Sequence, residues 1–173
     1  VAWDSRLAAT LAGASKIAGV DRSDDKQALA RQLGATHTVN ARDDDHVEQI
    51  KDLTNGGVDY AFEFSGTVAA TETCYKSIRM GGEVLIVGLS PSNSLFSFNP
   101  SDIVNSEKAI RGSYMGSCVP VRDIPRYIEL YRQGKLAVDK LINKSIGFDT
   151  INEGFDQLTD GLVIRQILEP HRL

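Results

Sequence analysis

The chain contains 173 residues, of which 42% are apolar and 24% charged, and its formal net charge is −4 at pH 7. That length can bury the core of one domain, and the composition is that of a globular rather than a disordered protein. Lysine and arginine are scattered among acids, no apolar run reaches the roughly 20 residues that cross a bilayer, and no signal-peptide pattern is present. We therefore expect a cytoplasmic protein that binds neither nucleic acid nor membrane.

Helical and extended patterns alternate through the first half of the chain. Apolar spacing predicts helices over residues 3–12, 23–33, 43–57 and 67–80. Apolar runs predict strands over residues 16–20, 36–40, 58–66 and 81–90. Regular alternation of strand and helix is typical of a parallel sheet with helices on both faces. The sequence therefore predicts an α/β fold built on a doubly wound parallel sheet.

The pattern changes after Ser90, where loop signals become frequent. A helix is predicted in the stretch over residues 121–136, with Pro125 near its first turn and Gly134 as its stop signal. Shorter elements are predicted at 100–105 (helical turn), 109–114 (strand), 149–159 (helix) and 163–168 (strand). Neither an internal repeat nor a low-complexity linker separates these elements from the first half.

The cysteines and histidines stand apart from one another in the sequence. Cys74 and Cys118 belong to no CxxC or Cys/His cluster, which indicates two reduced side chains rather than a disulfide or a zinc site. The histidines are equally isolated, at His37, His46 and His171. None of these residues is predicted to bind a metal.

Asp21 ends the second predicted element and is the first candidate binding residue. In a doubly wound sheet, ligands bind beyond the carboxyl ends of the strands. A carboxylate there can accept hydrogen bonds from the adenosine ribose of NAD, whereas it would repel the 2′-phosphate of NADP. Asp21 therefore favours NAD, although Arg22 follows it at a position suited to a phosphate, and the acid could also simply begin a turn.

Two later strands end at glycine, in Phe64-Ser65-Gly66 and in Val87-Gly88-Leu89. A glycine at a strand end permits close approach of the backbone to a ligand, and it equally permits an ordinary turn. Each glycine alone leaves both interpretations open. Their occurrence at successive strand ends adds weight to ligand binding.

Five stretches of the sequence resemble one known family. They are LAGASKIAGVDRSDDKQALARQLGAT, GGVDYAFEFSG, GGEVLIVGL, RGSYMGS and INEGFDQLTDGLVIRQIL. Together they resemble the zinc-dependent medium-chain alcohol dehydrogenases, including the glutathione-dependent formaldehyde dehydrogenase branch. The resemblance covers essentially the whole chain and implies a Rossmann-type sheet, with a dinucleotide-binding domain over residues 1–145 and a C-terminal segment over residues 146–173 that packs toward the catalytic domain.

The resemblance also implies where the chain enters this fold. Aligning LAGAS places Val1 and Ala2 at the end of the family's glycine-rich turn, and Asp21 follows Ala2 by 19 residues, close to the roughly 20 expected between turn and ribose acid. We therefore expect the first strand and most of that turn to be missing. A strand that normally pairs on both sides would then leave two open edges.

The family's catalytic zinc ligands and proton relay all precede the glycine turn, so the resemblance assigns none of them to this sequence. Zinc belongs to the complete enzyme, where it polarises the alcohol oxygen. What the resemblance does assign is contact with NAD: Asp21 and Lys26 to the adenosine ribose, Arg165 to the pyrophosphate, and the remaining residues to the nicotinamide half. Those remaining residues are Ser65, Gly66, Val87, Gly88, Leu89 and Met115.

The sequence thus predicts the NAD-binding portion of a zinc-dependent alcohol dehydrogenase, inactive in hydride transfer by itself. The segment from Leu95 to Tyr114 corresponds to the part through which subunits of the family pair, so a homodimer is expected. Two alternatives stay open. One is a catalytically inert dimerisation or core module, and the other is a zinc-free NADPH quinone reductase of the same superfamily, against which Asp21 counts.

Overall fold

The computed structural model describes residues 2–142, 144–160 and 162–171, so Val1, which the resemblance placed in the glycine turn, lies outside the described residues. Helices alternate with strands that pair only in parallel. The helices are α1 (Ala2–Leu11), α2 (Asp24–Gln32), α3 (His46–Thr54), α4 (Val68–Ser77), α5 (Pro100–Ser106), α6 (Pro120–Arg132) and α7 (Ile151–Thr159). The strands are β1 (Ala18–Asp21), β2 (His37–Asn40), β3 (Val58–Glu63), β4 (Ile78–Ile86), β5 (Ala109–Gly112), β6 (Lys144–Ile146) and β7 (Gln166–Leu168).

The chain divides into two compact units, residues 1–123 and residues 124–173. In the first unit, β1 pairs with β2, and β3, β4 and β5 form a separate sheet in that order. Within the described residues, no strand joins the two sheets. The α/β prediction with parallel strands is confirmed.

One hydrophobic cluster of the first unit lies between α4 and the three-stranded sheet. Tyr75 and Ile78 pack with Ala61 and Val84, and each of the four is at most 8% exposed. The strand alternates across its faces, so Tyr60 and Phe62 point the other way and are 60% and 46% exposed. One face of β3 therefore belongs to the core and the other is open to solvent.

Several predicted boundaries require correction. The helix predicted to run to Met80 ends at Ser77, because Ile78 pairs with Val58 as a strand residue and is 2% exposed in the core. The helix predicted over residues 121–136 begins at Pro120 and ends at Arg132, so Pro125 lies beyond the first turn. Since proline has no backbone N–H, α6 loses one internal hydrogen bond there.

In the second unit, β6 and β7 pair in parallel and α7 lies between them in the chain. Gly154 of α7 passes so close to this sheet that a Cβ there would lie 2.6 Å from Ile146 Cδ1. A larger residue at position 154 would require the Ile146 and Gln166 side chains to shift. The last strand, predicted over residues 163–168, is confined to Gln166–Leu168.

Candidate functional site

The carboxyl ends of β3, β4 and β5 meet along one edge of the sheet. Glu63 is paired with Ile86, and Ile86 is paired with Gly112, so the three strands end at the same level. The residues that follow these strands therefore share one edge, which is where parallel sheets bind ligands. The structure brings together on this edge six of the predicted binding residues: Ser65, Gly66, Val87, Gly88, Leu89 and Met115.

The turn after β3 touches the turn after β4 through backbone atoms. Gly66 has φ +70, and a Cβ on it would collide with the Leu89 carbonyl oxygen and lie 2.8 Å from its carbon. A Cβ on Gly88 would collide with the Gly66 nitrogen. Both glycines are thus required by close approach of two main chains, which leaves their backbone groups lining the edge.

Glu63, the last residue of β3, holds the first of these turns, and the sequence analysis missed it. Its side chain is buried, with the residue 1% exposed. Oε1 accepts hydrogen bonds from the Ser65 backbone N–H at 2.6 Å, the Ser65 hydroxyl at 2.6 Å and the Gly66 N–H at 2.9 Å. One signal could have identified it, because alternation along VDYAFE places an acid on the same buried face as Ala61.

The chain continues from this turn directly into α4. Thr67 is the N-cap, and its hydroxyl accepts a hydrogen bond from the Ala70 N–H at 3.2 Å. The Ser65 and Thr67 hydroxyls lie 3.0 Å apart. The Glu63 carboxylate and the helix cap thus fix the turn at both ends.

Cys74 of α4 lies close enough to Glu63 for the two groups to interact electrostatically. Burial, reinforced by the negative charge of Glu63, raises the pKa of the Cys74 thiol to about 12. A thiol of such high pKa is a poor nucleophile and metal ligand at neutral pH. Cys74, predicted to be an ordinary reduced side chain, is a half-buried free thiol in the structure.

Met115 begins a strained turn after β5. Met115, Gly116 and Ser117 have φ values of 49, 68 and 52, so three successive residues occupy the left-handed region. This conformation is uncommon for residues other than glycine and is enriched at functional sites. The Met115 side chain is 70% exposed, so it does not pack in the core.

Asp21 lies on the other sheet of the first unit, at the end of β1. Its Oδ1 accepts a hydrogen bond from the Ser23 N–H at 3.0 Å. Its main-chain oxygen accepts from Ala41 N–H at 3.1 Å. The carboxylate is thus oriented by the turn that leads into α2, and Lys26 is half-buried in the first turn of that helix.

Arg6 of α1 is a second residue that the sequence analysis missed. A Cβ added to Gly19 of β1 would lie 3.0 Å from Arg6 Nη2, so the guanidinium lies over the strand. Burial lowers the pKa of Arg6, and the charge of Asp21 acts in the opposite direction. A cation within electrostatic range of Asp21 bears on the choice between NAD and NADP. The sequence feature that could have identified Arg6 is its position as an arginine within a helix of small and apolar residues.

Arg165 lies in the second unit, directly before β7, and its side chain is exposed. Its expected contact with a pyrophosphate stays a prediction. Among the described residues, no three His, Cys, Asp or Glu side chains group so as to hold a metal ion, so the donors present do not fit zinc. In the part of the chain that is described, no helix is long and apolar enough to span a bilayer.

A protein-family model described as zinc-binding dehydrogenase matches residues 6–133. Alcohol dehydrogenase 2 of Zea mays is 36% identical over 163 residues, and alcohol dehydrogenase 1 of Trifolium repens is 34% identical over 163 residues. Each alignment covers 92% of this chain and 43% of the relative. The chain thus spans less than half the length of the curated relatives that it matches.

Solved structures agree with this fold. The benzyl alcohol dehydrogenase of Acinetobacter calcoaceticus superposes with a TM-score of 0.92 at 33% identity, covering 96% of this chain and 46% of that protein. A Sinorhizobium meliloti protein classed with the zinc-binding dehydrogenases and bound to NADP superposes with a TM-score of 0.76 at 24% identity, covering 96% of this chain and 48% of that protein. Because its identity is only 24%, the second comparison shows a shared fold and nothing further.

Proposed function

The chain belongs to the zinc-binding dehydrogenase family, and from that premise we propose that it is the NAD-binding portion of an alcohol dehydrogenase. The observation that carries the proposal is the single edge on which two turns meet through Gly66 and Gly88. Backbone groups brought together at the carboxyl ends of parallel strands are the usual binding place for a dinucleotide. The alcohol dehydrogenases among its relatives support the reaction class.

When bound, NAD supplies the nicotinamide ring that accepts a hydride from the alcohol carbon. The residues of the strand edge would orient that ring, since the turns at Ser65–Gly66 and Val87–Leu89 are fixed by their mutual contact. The Met115 backbone would bind the carboxamide. These residues would position the cofactor, and none of them has to transfer a proton.

The adenosine half would bind at the end of β1. Asp21 would accept hydrogen bonds from the ribose hydroxyls, with Lys26 beside it in α2. Arg165, a fixed planar cation, would bind the pyrophosphate. Neither the resemblance nor the donors among the described residues assign zinc ligands to this sequence. Hydride transfer by this chain alone is therefore not expected.

A second candidate is NADPH binding, as in the zinc-free quinone reductases of the superfamily. The observation that favours it is the pair of cations near Asp21, namely Arg6 over β1 and Arg22 next in sequence. Cations of this kind stabilise a 2′-phosphate. We favour NAD because the Asp21 carboxylate itself stands at the strand end.

Calorimetric titration with NADH and with NADPH tests the proposal. NADH is expected to bind more tightly than NADPH, and Asp21→Ala is expected to weaken NADH binding by roughly 10-fold or more, since hydrogen bonds to a charged group are lost. Asp44→Ala, which removes an exposed carboxylate before α3, is the matched control and should bind as the parent does. Failure of the folded chain to bind either nucleotide would leave the inert module as the better account.

A further inference from the structure

Glu63 occupies a position from which one residue contacts both turns of the strand edge. Its Oε1 accepts three hydrogen bonds from Ser65 and Gly66, as described above. Its main-chain oxygen accepts two more, from Val87 N–H at 2.9 Å and Gly88 N–H at 3.0 Å. The side chain thus holds the turn after β3, and the main chain holds the turn after β4.

The second carboxylate oxygen shows that packing alone does not select a glutamate at this position. Oε2 is buried and has no hydrogen-bond donor among the described residues. It faces Gly88, where an added Cβ would lie 2.7 Å from it. A buried carboxylate oxygen without a donor is costly, so packing alone does not explain a glutamate here. An apolar residue of similar size would avoid that cost but would leave the Ser65 and Gly66 N–H groups without their acceptor.

We propose that Glu63 is the positioning residue of the nicotinamide half of the site, holding the turns at Ser65–Gly66 and Val87–Leu89 in the arrangement that accepts the ring. This inference rests on the proposed function. Glu63 does not itself contact the cofactor in this account, because its carboxylate is buried beneath the turns. Its effect is transmitted through the backbone groups that it orders.

The proposal predicts that loss of the Glu63 carboxylate affects binding of one half of the dinucleotide and not of the other. Neutralising the carboxylate weakens three hydrogen bonds in the turn after β3 and leaves the end of β1, on the other sheet, with its own contacts to Ser23 and Ala41. Binding of the whole dinucleotide should therefore weaken, while binding of its adenosine half should not. A general loss of structure would instead weaken both.

The test compares NADH with ADP-ribose, which lacks the nicotinamide, by calorimetric titration of the 173-residue chain and its variants. Glu63→Gln is expected to weaken NADH binding at least 5-fold and to change ADP-ribose binding less than 2-fold. Amide hydrogen exchange of residues 65 and 66 should accelerate at least 10-fold in the same variant. Glu83→Gln makes the same substitution within β4, where Glu83 forms an ion pair with Arg111 and lies three residues before Ile86. NADH binding, ADP-ribose binding and hydrogen exchange of residues 65 and 66 should all stay unchanged in this variant.

A second variant covers the case in which Glu63→Gln does not fold by circular dichroism. Glu63→Asp keeps the charge but shortens the side chain by one methylene, so it should lose at least one of the three hydrogen bonds. It should therefore also weaken NADH binding more than ADP-ribose binding. Equal weakening of both ligands, or no weakening of either, overturns the proposal. If the unaltered chain binds neither ligand, the proposed function fails and the inference fails with it.

Discussion

Gly88 is the residue on which the geometry of the strand edge depends most directly. A Cβ added at Gly88 would collide with the Gly66 main chain and lie 2.7 Å from Glu63 Oε2, so no larger residue fits without moving a main chain. Gly112, at the end of β5 on the same edge, has open space around it and a φ outside the left-handed region. Adding a methyl group should therefore reduce stability more at Gly88 than at Gly112.

Gly88→Ala is expected to reduce the free energy of unfolding by about 1–3 kcal/mol, because the added Cβ overpacks a backbone contact. Gly112→Ala should change it by less than about 0.5 kcal/mol, as for substitutions without a new contact. Urea denaturation followed by circular dichroism measures both. Equal effects of the two substitutions would show that the turns are not in the close contact described.

Cys74 should resist alkylation in the folded chain. Its pKa of about 12 means that only about one thiol in ten thousand is ionised at pH 8, and the thiolate is the reactive form. Iodoacetamide labelling, read by mass spectrometry of the peptide that contains Cys74, should be at least 100-fold slower in buffer than in 8 M urea (about the concentration that unfolds such a chain). Similar rates in both conditions would contradict the assigned burial beside Glu63.

Tyr75 joins two elements, α4 and α5. Its hydroxyl donates a hydrogen bond to Asp102 Oδ2 at 2.7 Å, and Lys108 Nζ lies 3.4 Å from the same oxygen and 4.6 Å from the tyrosine ring centre. Phe96 and Phe98 pack around the ring. This cluster attaches the loop between β4 and α5 to the core of the first unit.

The cluster makes stability depend on pH. The hydrogen bond from Tyr75, with smaller contributions from Ser106 and Lys108, lowers the pKa of Asp102. A carboxylate whose pKa is lowered on folding stabilises the protein above its unfolded pKa of about 3.9, and this stabilisation is lost as the pH falls through the folded value. Tyr75→Phe should therefore lower the urea midpoint at pH 7, and the difference from the parent should shrink below about pH 4. A difference that is constant from pH 7 to pH 3 would count against this assignment.

The sequence predicted the end of β2 correctly, whereas the strands predicted over residues 58–66 and 81–90 end earlier, at Glu63 and Ile86. Gly66 and Gly88 could be predicted because glycines follow apolar strands in the chain. The role of Glu63 could not, since nothing in the local pattern indicates which backbone groups a carboxylate will accept from. The boundary at Ser77 was missed for a similar reason, because the pairing of Ile78 with Val58 is a contact between residues distant in sequence.

At the scale of the whole molecule, we expect a homodimer formed through the segment from Leu95 to Tyr114. Leu95, Val104 and Tyr114 are 85%, 74% and 74% exposed, and in the described sheet β5 is paired on one side only, with β4. Exposed apolar side chains beside an open strand edge favour association. Sedimentation velocity should show a dimer at micromolar concentration, and Val104→Asp should shift it toward monomer. A monomeric parent chain would refute this expectation.

One nicotinamide dinucleotide is proposed to bind both at the end of β1 and at the edge formed by β3, β4 and β5. Amide hydrogen exchange of the chain, measured with and without saturating NADH, shows whether both places are covered by the ligand. Exchange should become slower in residues 21–27 and also in residues 64–67, 87–89 and 113–117, with little change in α3. Unchanged exchange at the strand edge under conditions where calorimetry shows binding would contradict the claim.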